Sequence, residues 1–212
     1  NITNIMNIAV NISKAESAVL LVAFISVTVL VIFPIQDPDT FWHLANGRAM
    51  VEEGRIVNEE IFSYTKAGAK FSNHEWLAQI ILFLAYDKGG TCGLLSLKLI
   101  IVWLIFFLLY KTARFSGAGR VFSALLVLTV IYAGITRYVE RPELFSLLFI
   151  SLMIYLLYGY RAGRLGWRTL LFLPLIMLFW DFLHGAVYGT VFIVAFAAGE
   201  TMDGLLKRHQ VE

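Results

Sequence analysis

The sequence predicts an all-α protein, a polytopic transmembrane helical bundle of about six spans with a long outer first loop. Three observations carry that prediction. The 212 residues are 59% hydrophobic and 15% charged, with a mean hydropathy of +0.75, whereas a soluble domain is nearer half apolar and a quarter charged. Apolar runs recur at or near the ~20 residues that a helix needs to cross a bilayer. Basic residues between the runs gather on one side, as they do in cytoplasmic loops. The whole chain, 1–212, reads as a single transmembrane domain.

Composition also excludes several classes. Four prolines and the lack of a low-complexity tract argue against disorder. A net charge of +2, without a basic run interleaved with aromatics, leaves no nucleic-acid groove. The single cysteine, Cys92, excludes an internal disulfide and a cysteine-rich metal site. Its neighbours Gly89, Gly90 and Gly93 mark it as a small residue at a turn.

The elements follow in order. The first run, 17–36, is longer than a signal-peptide core and has no small-residue cleavage motif after it, so it reads as an uncleaved anchor. The chain begins with Asn rather than Met, which points to processing or to a piece of something longer. An outer loop spans 37–92 and holds an interfacial helix at 74–88. Its apolar part, 76–86, is too short to cross alone. Ser72 or Asn73 can cap it, Glu75 suits its first turn, and Gly89-Gly90 stops it. After a kink it continues into a span at 93–110. Further spans are expected at 120–136, 142–160, 168–181 and 185–200. The last two are short and joined by His184-Gly185.

Charge sets the orientation. Six spans with an inner N-terminus put Lys14, Lys111, Arg114, Arg120, Arg161, Arg164, Arg168, Lys207 and Arg208 inside, and both termini in the cytoplasm. Treating 76–86 as a separate crossing would place both basic loops, 111–120 and 161–168, outside. The glycosylation patterns at Asn1 and Asn11 then lie inside and are set aside. A set of polar residues converges on the outer face: Asp37, Asp39, His43, His74, Glu75, Arg137, Glu140, Arg141, Asp181 and His184. Ionisable groups clustered at a bilayer boundary are a functional site by default.

Each group has a chemical reading and a plainer one. Asp37-Pro38-Asp39 follows the first span, where carboxylates oppose the helix macrodipole. Such a pair suits Mg²⁺ or Mn²⁺, or the proton of an attacking group. A bare D-x-D is also a common solvated helix end. His43, four residues after Asp39, shares its face if a short helix begins there; it is otherwise an interfacial histidine beside Trp42. His74 can bind phosphate or act as a general base with Glu75 as its partner, and Glu75 equally suits a first helical turn. Arg137 and Arg141 are four apart, with Glu140 placed to position one of them, and guanidinium forks grip phosphate oxygens. A headgroup contact or an Arg–Glu pair is the plainer account. Asp181 and His184 form a carboxylate-oriented imidazole or a helix-terminal hydrogen-bond pair. Lys98, inside a span, can snorkel outward.

The loop DPDTFWHLANGRAMVEEG, with FSYT and HEWLAQ after it, resembles the membrane glycosyltransferases of the GT-C superfamily, which carry an acidic motif directly after the first span. It is also similar to bacterial and archaeal multi-span proteins with GT-C-like first halves, as are RPELFSLLF and LPLIMLFWDFLHG. The resemblance covers about residues 17–200. It implies membrane-parallel helices in the outer loop, a prokaryotic plasma (inner) membrane, and sugar transfer from a polyprenyl-phosphate carrier to an acceptor on the outer face. Asp37 or Asp39 would be the catalytic base or a metal ligand, and Arg137 or Arg141 would contact donor phosphate. Asp181 stands where the pattern has Asn. The chain is also shorter than such enzymes, which allows a donor site without an acceptor site. The competing readings are a non-catalytic membrane subunit among other membrane subunits and, further off, a transporter, which would need polar residues in mid-span.

Overall fold

The computed structural model describes residues 14–209, with side chains over 17–206, so Asn1 and Asn11 lie outside the described residues. Among these residues the structure is helical, with one isolated antiparallel bridge, Glu59 to Lys70, pinning the loop before the third helix. Seven α-helices follow one another: α1 Lys14–Val31, α2 Pro38–Glu53, α3 Trp76–Phe115, α4 Arg120–Ala133, α5 Glu143–Arg161, α6 Leu173–Leu183 and α7 Val187–His209. Short 3₁₀ turns at Ile135–Arg137 and Trp167–Phe172 precede α5 and α6.

Among the described residues three helices are long and apolar enough to cross a membrane, which marks this as a membrane protein: α3, α5, and α7 over Val187–Leu206. The apolar helices α1 and α4 are shorter. The run expected to span at 168–181 instead divides into a 3₁₀ turn and an α6 of 11 residues, about 16 Å long. Pro174 sits at the start of α6, where its missing N–H and fixed φ do no harm.

The core joins Val27 and Val31 of α1, Val102 and Ile105 of α3, Val127 and Ile131 of α4, and Leu144 of α5. Phe24 and Trp103 stack with ring centroids 4.1 Å apart, and Trp103 Nε1 donates to Thr28 Oγ1 at 3.2 Å. A second cluster buries Trp180 of α6 with Met153 of α5.

The expected kink in α3 is a sharp break at Gly90. Gly90 has φ 54° and ψ −145°, a conformation open to glycine and strained for other residues. Beyond it the chain returns so closely that a Cβ on Gly93 would collide with the carbonyl of Ala85. In a continuous helix those residues would be about 12 Å apart. Leu82 and Ala85 before the break therefore pack with Leu94 and Leu97 after it, around Leu44 of α2. The limb 91–115, about 37 Å long, has the length for a crossing, and the limb 76–89 lies against it.

Two expectations are corrected at this level. The carboxylate pair does not end the first helix: α1 stops at Val31, and Asp37 is the N-cap of α2. Asp37 Oδ1 accepts from the Asp39 N–H at 3.0 Å, and Pro38 opens the helix. Carboxylates there complement the macrodipole rather than oppose it. Lys98 does not snorkel. It is 1% exposed, its Nζ is 2.6 Å from Glu140 Oε1, and it lies 3.9 Å from the Phe33 ring centre.

Candidate functional site

A polar cavity of about 310 Å³ opens where α2, the start of α3, the start of α5 and the α6–α7 turn meet. Asp39, Trp42 and His43 line it from α2, Glu75 from the start of α3, Arg141, Pro142 and Glu143 from the start of α5, and His184 from the turn.

Arg141 organises one wall. Its Nη1 is 3.0 Å from Asp37 Oδ2 and its Nη2 is 2.9 Å from Asp39 Oδ2. One guanidinium fork thus spans both carboxylates at the start of α2, in the geometry that suits Arg. These three residues answer one another across about a hundred positions of sequence.

The opposite wall is built on Glu75. Its Oε1 is 3.4 Å from His184 Nε2 and 3.9 Å from His74 Nε2, and its Oε2 is 3.9 Å from His43 Nδ1. Burial pushes the Glu75 carboxyl above its usual range, and the nearby His74 and Arg141 charges oppose that shift. His43, 4% exposed, sits behind with Gln79 Nε2 at 3.4 Å from its Nδ1. Asn73 Nδ2 donates to Gln79 Oε1 at 2.9 Å, so Asn73 orients this chain and does not cap α3, whose N-cap is Glu75. Burial, then Arg141, lowers the His43 pKa from 6.5 to about 4. Burial likewise lowers that of His184. Both imidazoles are neutral at pH 7.

The His43 shift fixes a sign. A base whose pKa is lower folded than unfolded contributes stability that is complete above its unfolded value and lost as pH falls toward the folded one. For His43 that window runs from about 6.5 down to about 4, worth on the order of 3 kcal/mol. Glu75, raised by burial, works in the opposite direction below neutrality. Unfolding in detergent as a function of pH should therefore show a steeper loss between pH 6.5 and 4 for the native protein than for His43→Gln. Parallel profiles would contradict the burial of His43.

The residues expected from sequence fall into two groups. Asp39, His43, Glu75, Arg141 and His184 meet in the cavity, with Asp37 directly behind Arg141. His74 lies at the rim, with its side chain 63% exposed. The other three are elsewhere. Arg137 and Arg141 do not share a helical face, because 137–141 is a 3₁₀ turn followed by irregular chain. Arg137 points outward to Glu143 at 3.5 Å. Glu140 positions neither arginine, being buried at 1% against Lys98. Asp181 is exposed and accepts from the Ala186 N–H at 3.4 Å, closing the turn after α6. Sequence reasoning missed Gln79, Glu143, Ser146 and Trp180. The available signals were Glu143 in RPEL, a serine inside an apolar helix, and a tryptophan one turn before His184.

Arg141 holds both aspartates, and among the described residues no group of three or more His, Cys, Asp or Glu is arranged to hold a metal. The cavity region carries several carboxylates: Asp39, Glu75 and Glu143 line it with Arg141, Asp37 stands behind that arginine, and Arg137 lies outside beside Glu143. Comparison with family models, curated proteins and solved structures finds no match to this chain.

Proposed function

We propose that this is a GT-C-like membrane glycosyltransferase that takes a sugar from a polyprenyl-phosphate carrier at the outer surface of a prokaryotic plasma membrane. Six crossings, with both termini cytoplasmic, would place the cavity at that surface. The observation that carries the reading is the pairing of an arginine fork with a separate carboxylate, Glu75, across one cavity at the end of an apolar bundle. Beside it, across Asp37, a larger hollow of about 510 Å³ is lined by Phe33, Pro38, Ile135 and Val139 together with Gln36 and Thr136, a largely apolar surface that suits a lipid chain.

In the proposed reaction the acceptor hydroxyl oxygen bonds to the sugar's anomeric carbon. The bond from that carbon to the phosphate oxygen breaks, and the phosphate leaves with the electron pair toward Arg141. The hydroxyl proton passes to Glu75. Glu75 takes this role because oxygens of Asp37 and Asp39 are held by Arg141. The excess of carboxylates also suits the positive charge that develops on the sugar ring.

A second reading has its own support. Asp37 caps α2 and both aspartates bind Arg141, which is what a structural staple in a non-catalytic subunit would do. Membranes carrying the native protein, Glu75→Gln, Asp37→Asn or Asp39→Asn, supplied with labelled polyprenyl-phosphate sugars, separate the two. Glu75→Gln should lower product per protein by about 100-fold or more, with smaller losses from the aspartate variants. Undiminished product from all three variants would sink the enzyme reading and favour the subunit.

A further inference from the structure

The hydrogen bonds behind His184 run in one direction. Trp180 is wholly buried in α6, and its indole N–H can only donate. It donates to Ser146 Oγ of α5 at 2.7 Å. The same oxygen lies 2.8 Å from His184 Nδ1. The indole occupies one lone pair of that hydroxyl. The second could accept from an Nδ1–H, but the serine proton would then have no acceptor, because among the described residues Ser146 Oγ bonds only the indole and His184. The proton therefore faces Nδ1. A neutral imidazole carries one proton, so an accepting Nδ1 places it on Nε2. That nitrogen lies 3.4 Å from Glu75 Oε1.

We propose that Trp180 and Ser146 are positioning residues that hold His184 in its Nε2–H tautomer, so that the ring presents a donor to Glu75 and the cavity. The placement is demanding. Ser146 is 3% exposed and lies between two apolar helices, where an unsatisfied hydroxyl would be costly. Each polar atom of the chain instead finds its partner, which makes the arrangement self-consistent. The indole is held on two sides. Phe149 stacks on it at 5.5 Å, and Gly189 of α7 approaches so closely that a Cβ there would meet its ring at 2.8 Å.

The consequence for the site rests on the glycosyltransferase reading, whereas the tautomer itself does not. An Nε2–H donor steadies the ionised form of Glu75, which burial disfavours, and fixes which carboxylate oxygen is turned away from the histidine. Other charged or titratable groups surround both: Glu143, His74 and Arg141 act on His184, and His74, Arg141 and Asp39 act on Glu75, which also has His43 Nδ1 at 3.9 Å. None of them contacts His184 Nδ1 through a hydrogen bond, so the tautomer is assigned to the serine.

The test is nitrogen NMR of ¹⁵N-histidine-labelled protein in detergent or nanodiscs at pH 7.5, with His184→Gln to assign the signal. The native ring should favour Nε2–H by about tenfold or more, and Ser146→Ala or Trp180→Phe should bring the two tautomers toward parity. A native ring protonated at Nδ1, or a preference unchanged in both variants, overturns the proposal. The native spectrum alone decides if either variant fails to fold. A correct tautomer without sugar transfer would instead tell against the glycosyltransferase reading and leave this inference standing.

Discussion

Lys98→Met should destabilise the protein by about 3–5 kcal/mol, the range for removing one partner of a buried ion pair. Lys98 and Glu140 are each 1% exposed, with Nζ and Oε1 2.6 Å apart. Methionine nearly conserves the volume of lysine, so the loss would come from the carboxylate left without its cation and not from a cavity. Glu140→Gln should cost less, because the amide oxygen can still accept from the Lys98 ammonium, which also keeps its contact with the Phe33 ring. The double variant Lys98→Met/Glu140→Leu should recover much of the loss, since well-packed apolar pairs often match buried ion pairs in stability. Unfolding in detergent by denaturant or heat checks all three. Equal stability of Lys98→Met and the native protein would show that the pair is solvated.

Gly47→Ala is the second large effect, and there the sign is set by a competition. Alanine in a helix interior gains up to ~1 kcal/mol over glycine. At Gly47, however, a Cβ would collide with the carbonyl of Gln79 and come within 2.7 Å of Phe83 Cβ. A backbone carbonyl cannot swing aside, so α2 must move away from the first limb of α3. Overpacking of this kind costs about 1–3 kcal/mol, which outweighs the propensity gain. Because α2 also carries Asp37, Asp39 and His43, the displacement should reach the cavity, and a smaller departure of His43 from ordinary titration would report it. A variant as stable as the native protein, with His43 still titrating near 4, would contradict the contact.

Local grammar was legible and distant pairing was not. Asp37-Pro38 misled, reading as the end of the first span and not the start of α2. Gly89-Gly90 announced a break, and the Asp39–His43 spacing placed both on one face once a helix was taken to begin near Asp39. Each is a relation within a few residues, governed by backbone sterics or helical period. Glu140 shows where such reasoning fails. Between Arg137 and Arg141, with helical spacing assumed, it looked like their partner. The chain there is not helical, and the side chain turns inward to Lys98, 42 positions away. Asp181 failed for a similar reason: α6 ends before the spacing to His184 can place the two on one face. The join of Arg141 to Asp37 and Asp39 could be suspected from charge, yet its geometry depends on how α5 docks beside α2. The Trp180–Ser146 contact left still less trace, because a lone serine in an apolar helix usually bonds its own backbone.

Arg141 has two employers. In the structure its guanidinium closes the start of α2 by holding Asp37 and Asp39. An anion entering the cavity would compete with them for the same five N–H groups. Whatever recruits the arginine loosens the joint between the starts of α2 and α5, and by reciprocity whatever tightens that joint repels the anion. Aspartate-to-asparagine changes at this joint would then make the arginine more available, raising affinity for a phosphate headgroup even while they remove negative charge from the start of α2.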